Sequence, residues 1–104
     1  MSQEVVWLPD AVTDLMRLRK FIQDKNPIAA KRAASKIKEG ALTLMSNPES
    51  GRPVEGLSSF REILIPFGAG NYVLRYREDN VTIVVVRVWH SKEDRLSLSR
   101  GQST

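Results

Sequence analysis

The amino-acid sequence predicts an α+β fold, a helical hairpin packed on a mainly antiparallel four-stranded sheet in the order β-α-α-β-β-β. Three observations lead to this fold. Two segments in the first half repeat apolar residues at helical spacing, with only a couple of residues between them. Three segments in the second half have strand composition and are separated by turn formers. A short apolar segment before the first helix supplies the fourth strand.

The first strand is predicted at residues 3–8, QEVVWL, and the first helix follows it directly. Pro9 ends the strand and suits a first helical turn, where its missing N–H has no partner to lose. The helix is predicted from about Asp10 to Asp24. Its inward stripe is Ala11, Leu15, Leu18 and Ile22. The residues expected on the opposite, solvated face are Arg17, Lys20 and Asp24.

The second helix is predicted from Asn26-Pro27, an N-cap followed by a proline, to about Met45. Its inward residues are mostly small, so another helix can approach closely. These residues are Ala30, Ala33, Ile37, Gly40, Ala41 and Leu44. Because the connection is short, the two helices should form an antiparallel hairpin.

Residues 47–59 are rich in turn formers and are predicted to be a loop. Three strands follow, at Phe60–Pro66, Tyr72–Arg77 and Val81–His90. The last contains VTIVVVRVW, an almost continuous β-branched run that predicts a central strand covered on both faces. The polar tail from Ser91 to Thr104 is expected to be partly disordered.

The composition predicts one globular domain that spans residues 1–104 and needs no cofactor. Cysteine is absent, which excludes disulfides and thiolate-bound metal, and histidine occurs once. The N-terminus lacks the features of a signal peptide, and no apolar stretch approaches the ~20 residues of a membrane span. We therefore expect a cytoplasmic protein without a membrane partner.

The positive charge is concentrated in the helical hairpin. The chain has a formal net charge of +4 and a pI of about 9.8, which favours a polyanionic partner. Asp24 is the only acid between Arg17 and Lys38. The cations of that stretch are Arg17, Arg19, Lys20, Lys25, Lys31, Arg32, Lys36 and Lys38. Such a surface suits nucleic acid or an acidic protein, and it is equally compatible with a merely solvated helix face.

Three stretches carry a resemblance to a known family. The first is WLPDAVTDLMRLRKFI, where an aromatic strand end and a proline precede an Ala-x-x-Asp-Leu pattern. The second is NPIAAKRAASKIKEGALTLMSNPESGRPVEGL, a helix with a Gly-Arg-Pro loop beyond it. The third is FREILIPFGAGNYVLRYREDNVTIVVVRVWHSKEDR, whose last strand closes in Arg-Val-x-His. In this order and spacing they resemble the RelE/ParE superfamily of plasmid-stabilising toxins, and ParE-like members in particular.

The resemblance implies the toxin of a type II toxin–antitoxin system, which a cognate antitoxin neutralises by wrapping around it. It also implies one of two targets. ParE-like members poison DNA gyrase, whereas RelE-like members cleave messenger RNA on the ribosome. An incomplete sheet edge and an apolar groove beside the hairpin are the expected docking places for the antitoxin.

The candidate residues for target binding lie in the loop and the last strands. They are Arg52, Arg61, Arg75, Arg77, Arg87, Trp89 and His90. If the chain is a nuclease, Arg61, Arg87 and His90 are the catalytic candidates, because cations stabilise a phosphorane and histidine can transfer a proton near neutral pH. Structural roles remain open, with His90 as a hydrogen-bonding group, Arg75 and Arg77 as solvated residues, and Trp89 as packing.

The acid–base set that RNA cleavage requires is incomplete in the sequence. Ribonuclease members commonly place an aromatic hydroxyl near the C-terminus, and here no tyrosine follows Tyr76. Arginine stays protonated and is a poor general acid. Arg87 and His90 are three residues apart on one strand, so they should point to opposite faces. The sequence therefore favours a gyrase-binding toxin over a ribosome-dependent endoribonuclease.

Overall fold

The computed structural model describes residues 4–93, and its elements follow the predicted order. The helices are α1 (Pro9–Gln23) and α2 (Pro27–Thr43). The strands are β1 (Glu4–Trp7), β2 (Arg52–Val54), β3 (Leu57–Phe67), β4 (Gly70–Asp79) and β5 (Thr82–His90). The α+β fold and the helical hairpin are confirmed. Most of the predicted polar tail, from residue 94 onwards, lies outside the described residues.

The two helices begin as their sequence signals predict. Pro9 occupies the start of α1, and the Asn26 side chain caps α2 by accepting a hydrogen bond from the Ala29 N–H at 3.0 Å. Small residues bring α2 close to its neighbours. At Gly40 a Cβ atom would lie 2.6 Å from Ile65 Cδ1, so a larger residue there would require the Ile65 side chain to shift.

The sheet has five strands in the order β1-β5-β4-β3-β2, one more than predicted. β1 pairs with β5 in parallel, and the other neighbours pair antiparallel. The extra strand, β2, lies in the stretch predicted to be a loop. Three residues with a central proline show no alternation that could reveal a strand, and the β2–β3 register is irregular after Pro53.

The main core lies between one face of the sheet and the helical hairpin. Its sheet residues include Ile65, Tyr72, Leu74, Tyr76, Ile83, Val85 and Val88. A second buried group, outside this core, consists of Val73, Val84 and Trp89. Alternation puts these three side chains on the other sheet face. β5 is therefore buried on both faces, as predicted, although β4 is the middle strand.

A β-bulge interrupts the alternation of β5. Arg75 is opposite Arg87, but the next residue of β4, Tyr76, is opposite Val85, so Val86 is an extra residue. Regular alternation along β5 would place Arg87 on the same face as both Val85 and Trp89. The extra residue reverses the alternation, so Arg87 shares a face with Trp89 but not with Val85. Arg87 and His90 lie on opposite faces, as expected.

Among the described residues, no helix combines the length and the apolar composition that crossing a lipid bilayer requires.

Candidate functional site

Arg87 forms an ion pair with a buried carboxylate that the sequence analysis did not select. Its Nε and Nη2 donate to the two carboxylate oxygens of Asp14 on α1, at 2.7 and 2.9 Å. The Asp14 side chain is only 2% exposed and that of Arg87 is 19% exposed. An arginine within an apolar strand must be either exposed or paired, and Arg87 is paired. The signal was present in the sequence, because Asp14 falls inside the apolar stripe between Ala11 and Leu18.

The same network covers the edge of β5 beyond the end of β1. The Val88 N–H donates to Asp14 at 2.9 Å, and the Arg17 guanidinium donates to the Val88 carbonyl at 3.4 Å. The His90 N–H donates to Glu93 at 2.9 Å. Side chains thus satisfy backbone groups that a neighbouring strand would otherwise pair.

Arg17 joins the two acids of this network. It donates to Asp14 at 2.6 Å and to the two Glu93 oxygens at 3.1 and 3.2 Å. Its predicted place on the solvated face of α1 was therefore wrong. The helical spacing of Arg17 puts it at the border of the buried stripe, where a long side chain can turn towards β5.

Burial and hydrogen bonding act in opposite directions on Asp14. Burial raises the pKa of this carboxyl, but hydrogen bonds from Arg87, the Val88 N–H and Arg17 outweigh it, and the net pKa lies below its ordinary value. The pKa of Arg87 is raised, chiefly by its hydrogen bonds to Asp14. Both groups are therefore charged near neutral pH, and the pair serves to hold α1 on β5.

Arg61 lies on the helix-facing side of the sheet, opposite Tyr76. Its Nη1 donates to the Gly51 carbonyl at 2.7 Å and to the Glu49 carbonyl at 3.4 Å. The Tyr76 hydroxyl fastens the same loop, since it donates to the Pro48 carbonyl at 2.7 Å and accepts from the Gly51 N–H at 2.9 Å. Arg61 therefore positions the loop in front of β2.

A row of charged residues crosses four strands on the other face. The register aligns them in the order Arg52, Glu62, Arg75 and Arg87. Arg75 donates twice to Glu62, at 2.8 and 2.9 Å, and its guanidinium lies 5.3 Å from the centre of the Trp89 ring. Arg75 is thus held by a carboxylate and an aromatic ring.

The two remaining arginines of this face reach solvent. Arg52 is exposed at the outer end of the row. Arg77 is half-buried and contacts Asp79 at 3.5 Å. Trp89 is only 6% exposed, so its ring packs beneath the other side chains of this face. Arg52 and Arg77 are therefore the arginines of this face with the most solvent access, and Leu64 is exposed on the same face.

His90 lies at the end of β5 against an aromatic neighbour. Its ring meets the Tyr72 ring edge-on, with 5.1 Å between centroids, and its Nδ1 accepts a hydrogen bond from the Lys92 N–H at 3.2 Å. Gly70 permits this arrangement, because a Cβ there would lie 2.8 Å from His90 Cε1. Burial, followed by the nearby Glu93 charge, raises the pKa of Tyr72.

An apolar cavity of about 410 Å³ opens beside His90, between α1 and the β3–β4 turn. Phe21 stands at its margin and is 73% exposed. The cavity is lined by Leu18, Phe21, Ile22, Phe67 and Tyr72, with Arg17, His90, Lys92 and Glu93 as polar members. A cavity of this size and composition suits the side chains of a bound partner.

The structure does not bring the three nuclease candidates together. Arg61 and His90 pair with Tyr76 and Tyr72, four residues apart along β4, which separates them by about 13 Å. Arg87 lies on the opposite face and is bound to Asp14. Within residues 4–93, no cluster of histidine and acidic side chains is arranged to hold a metal ion.

Comparison with known proteins gives a consistent set of relatives. Toxin RelE3 of Caulobacter vibrioides is 37% identical over 87 residues, which cover 84% of this chain and 92% of that protein. The RelBE2 toxin–antitoxin complex from Mycobacterium tuberculosis contains a similar chain, with 25% identity and a TM-score of 0.60 over 86% of this chain and 99% of that one.

A structure of the chromosomal ParDE system from P. aeruginosa has the same fold, with a TM-score of 0.72 and 22% identity over 86% of this chain and 96% of that one. A family model described as the ParE toxin of the type II toxin–antitoxin system parDE matches residues 5–95. The match spans nearly every described residue, and the resemblance found in the sequence is confirmed. This chain therefore belongs to the ParE toxin family, within the RelE/ParE superfamily.

Proposed function

We propose that this toxin inhibits DNA gyrase by binding to it and is neutralised by a cognate antitoxin. The observation that carries the proposal is the separation of Arg61, Arg87 and His90. Cleavage through a 2′-hydroxyl needs a base, an acid and cations around one phosphate. In this chain the candidates are about 13 Å apart or on opposite faces.

The binding of these groups within the chain supports the same proposal. Arg87 is bound to Asp14, and Arg61 is bound to loop carbonyls. A cation that leaves a buried carboxylate to meet a phosphate would lose as much as it gains. A toxin that acts by binding a protein does not need to free these arginines, because they can stabilise the binding surface while they remain bound within the chain.

The arginine face of the sheet is the proposed surface for gyrase. The side chains of Arg52 and Arg77 extend towards solvent, where they can contact a partner. Arg75 and Trp89 contact each other at the centre of the face. Interfaces are enriched in arginine and aromatic residues that are held in place before binding. Arg61, Arg87 and His90 contribute to this surface by positioning the loop, the edge of β5 and the strand end.

The antitoxin is proposed to occupy two other places. β2 pairs with β3 only as far as Glu62, so the stretch Ile63–Phe67 has an open edge among the described strands. Leu64 on this stretch is 49% exposed. An extended antitoxin segment can add a strand there, and the cavity beside Phe21 can take apolar side chains of an antitoxin helix.

Ribosome-dependent cleavage of messenger RNA is the second candidate. Two observations favour it, the RelE name of the Caulobacter relatives and the grouping of Tyr72, His90 and Glu93 at one cavity. The lining of that cavity is mainly apolar, however, and Glu93, its carboxylate, is already bound to Arg17. We therefore rank the nuclease below the gyrase inhibitor.

Induced expression in a bacterial host separates the two candidates. A gyrase inhibitor should make cells filament and should induce DNA-damage signals, and co-expressed antitoxin should restore growth. A nuclease should stop translation within minutes and leave messenger RNA cut at fixed codon positions. Normal growth at high soluble expression would contradict both candidates in that host.

A further inference from the structure

We infer that the α1–α2 hairpin is a docking surface for the phosphate backbone of duplex DNA. The charge of the chain is divided unevenly. Residues 17–38 contain eight cations and one acid, whereas the rest of the chain contains eight cations and eleven acids. The excess of positive charge therefore lies in residues 17–38, and the chain outside this segment is acidic.

Most cations of the hairpin are exposed and carry no ion pair. Arg17, which turns towards β5, is the exception, and it pairs with a carboxylate as Arg75, Arg77 and Arg87 of the sheet do. Seven hairpin cations are exposed, and none has a salt bridge within residues 4–93. They are Arg19, Lys20, Lys25, Lys31, Arg32, Lys36 and Lys38. Most of the exposed cations without a salt bridge in the described chain thus lie on the hairpin, and Arg52 and Lys92 lie outside it.

The arrangement has no evident structural benefit. Arg32 and Lys36 are four residues apart, so like charges face each other along the helix. The first turn of α2 has no acid, although the positive end of the helix dipole favours one there. Like charges at this spacing repel one another, and an anionic ligand outside the chain would relieve the repulsion.

The shape of the surface favours nucleic acid over an acidic protein. A shallow depression of about 270 Å³ on α2 is lined by Lys31, Arg32, Ser35, Lys36 and Glu39. None of its lining side chains is aliphatic or aromatic, so it offers no pocket for the apolar anchors on which protein interfaces depend. Ammonium, guanidinium and hydroxyl groups are the usual partners of phosphate oxygens.

Duplex DNA is the occupant because this inference rests on the proposed function, in which the target is an enzyme that works on duplex DNA. The arginine face would bind gyrase, and the hairpin, on the helical side of the molecule, would bind DNA near it. Non-specific phosphate contacts need no base recognition, which agrees with a surface of exposed lysine and arginine side chains.

The test is the salt dependence of binding between the full-length toxin and a fluorescent 20-base-pair duplex, followed by anisotropy. With about four phosphate contacts, the affinity should fall roughly 100-fold between 50 and 200 mM salt. The variant Lys31→Gln/Lys36→Gln should reduce the slope of log affinity against log salt by about two. The matched control is Ser58→Glu/Ser59→Glu, which changes the net charge equally at exposed positions of β3 and should keep the slope.

The inference is overturned if the duplex is not bound at 50 mM salt, or if both double variants weaken binding equally. It is also overturned if an RNA hairpin of equal length binds tenfold more tightly, or if the helix variant loses antitoxin binding and keeps DNA binding. Gyrase inhibition is measured separately. Inhibition without DNA binding would remove this inference alone, and DNA binding without inhibition would remove only the proposed target.

Discussion

The Asp14 carboxylate on α1 accepts two hydrogen bonds from the Arg87 guanidinium on β5, at 2.7 and 2.9 Å. These residues are 73 positions apart, so the pair joins the first helix to the last strand. Asp14 also accepts a hydrogen bond from the Val88 N–H, which lies beyond the end of β1 and has no neighbouring strand on that side of β5. One buried carboxylate therefore closes the sheet edge, fixes the helix and determines where Arg87 points.

Replacing Asp14 by alanine should lower the free energy of unfolding by about 3–5 kcal/mol, because Arg87 and the Val88 N–H lose their partner in a part-buried site. Urea unfolding followed by circular dichroism measures the effect. Asp24→Ala removes an exposed carboxylate of the same helix and should change stability by no more than about 0.5 kcal/mol. Equal effects of the two substitutions would contradict a structural role for Asp14.

Acid should weaken the fold through the same carboxylate. The pKa of Asp14 is lower in the folded protein than in the unfolded chain, where it is about 4, so its contribution is fully present above that value. The contribution is lost as the pH falls through 4 towards the folded pKa. Unfolding at a series of pH values should therefore show a steeper loss for the native chain than for Asp14→Asn. If the native chain and Asp14→Asn lose stability equally as the pH falls, Asp14 is not the source of the acid sensitivity.

The Tyr76 hydroxyl should hold the loop that Arg61 also contacts. Tyr76→Phe removes one donor to Pro48 and one acceptor for the Gly51 N–H, at a cost of about 1–3 kcal/mol. Hydrogen exchange of the Gly51 amide should become faster. Tyr72→Phe is the matched control, since it removes a hydroxyl from the same strand and leaves the contacts with Pro48 and Gly51 in place. Unchanged hydrogen exchange of the Gly51 amide in the Tyr76→Phe variant would show that the hydroxyl does not hold the loop.

Toxicity should depend on Arg87 and much less on His90. His90→Gln keeps a polar side chain of similar size, and the folded variant should stay toxic because binding needs no proton transfer. Arg87→Ala should be attenuated, since it leaves Asp14 buried without its main partner. Growth on induction measures toxicity, and antitoxin pull-down checks that each variant is folded. A folded His90→Gln protein without toxicity would favour the nuclease.

The periodic parts of the fold could be predicted from the sequence. The stripe of Ala11, Leu15 and Leu18 and the Asn26 cap define both helices, because helical spacing and capping are local signals. β2 could not be predicted, since three residues around Pro53 become a strand only by pairing with β3. The bulge at Val86 is likewise a product of pairing with β4.

The candidate arginines could be listed from the sequence, but their roles could not. Arg61, Arg75 and Arg87 are the same amino acid and all lie on strands. Only their tertiary contacts distinguish them, since they bind a loop carbonyl, Glu62 and Asp14 respectively. The ion pair of Asp14 could have been predicted from the sequence, because a carboxylate on a buried stripe requires a partner. The cavity beside Phe21 depends on the distance between α1 and the β3–β4 turn, which no local pattern encodes.

The most direct test of the proposed function is a supercoiling reaction in which purified toxin is titrated against DNA gyrase and relaxed plasmid. We predict loss of supercoiling or accumulation of cleaved plasmid, with activity restored when the antitoxin is added first. Translating ribosomes with a defined messenger RNA provide the parallel reaction, in which we predict intact RNA. Unaffected supercoiling together with ribosome-dependent cleavage in codon register would contradict the proposed function.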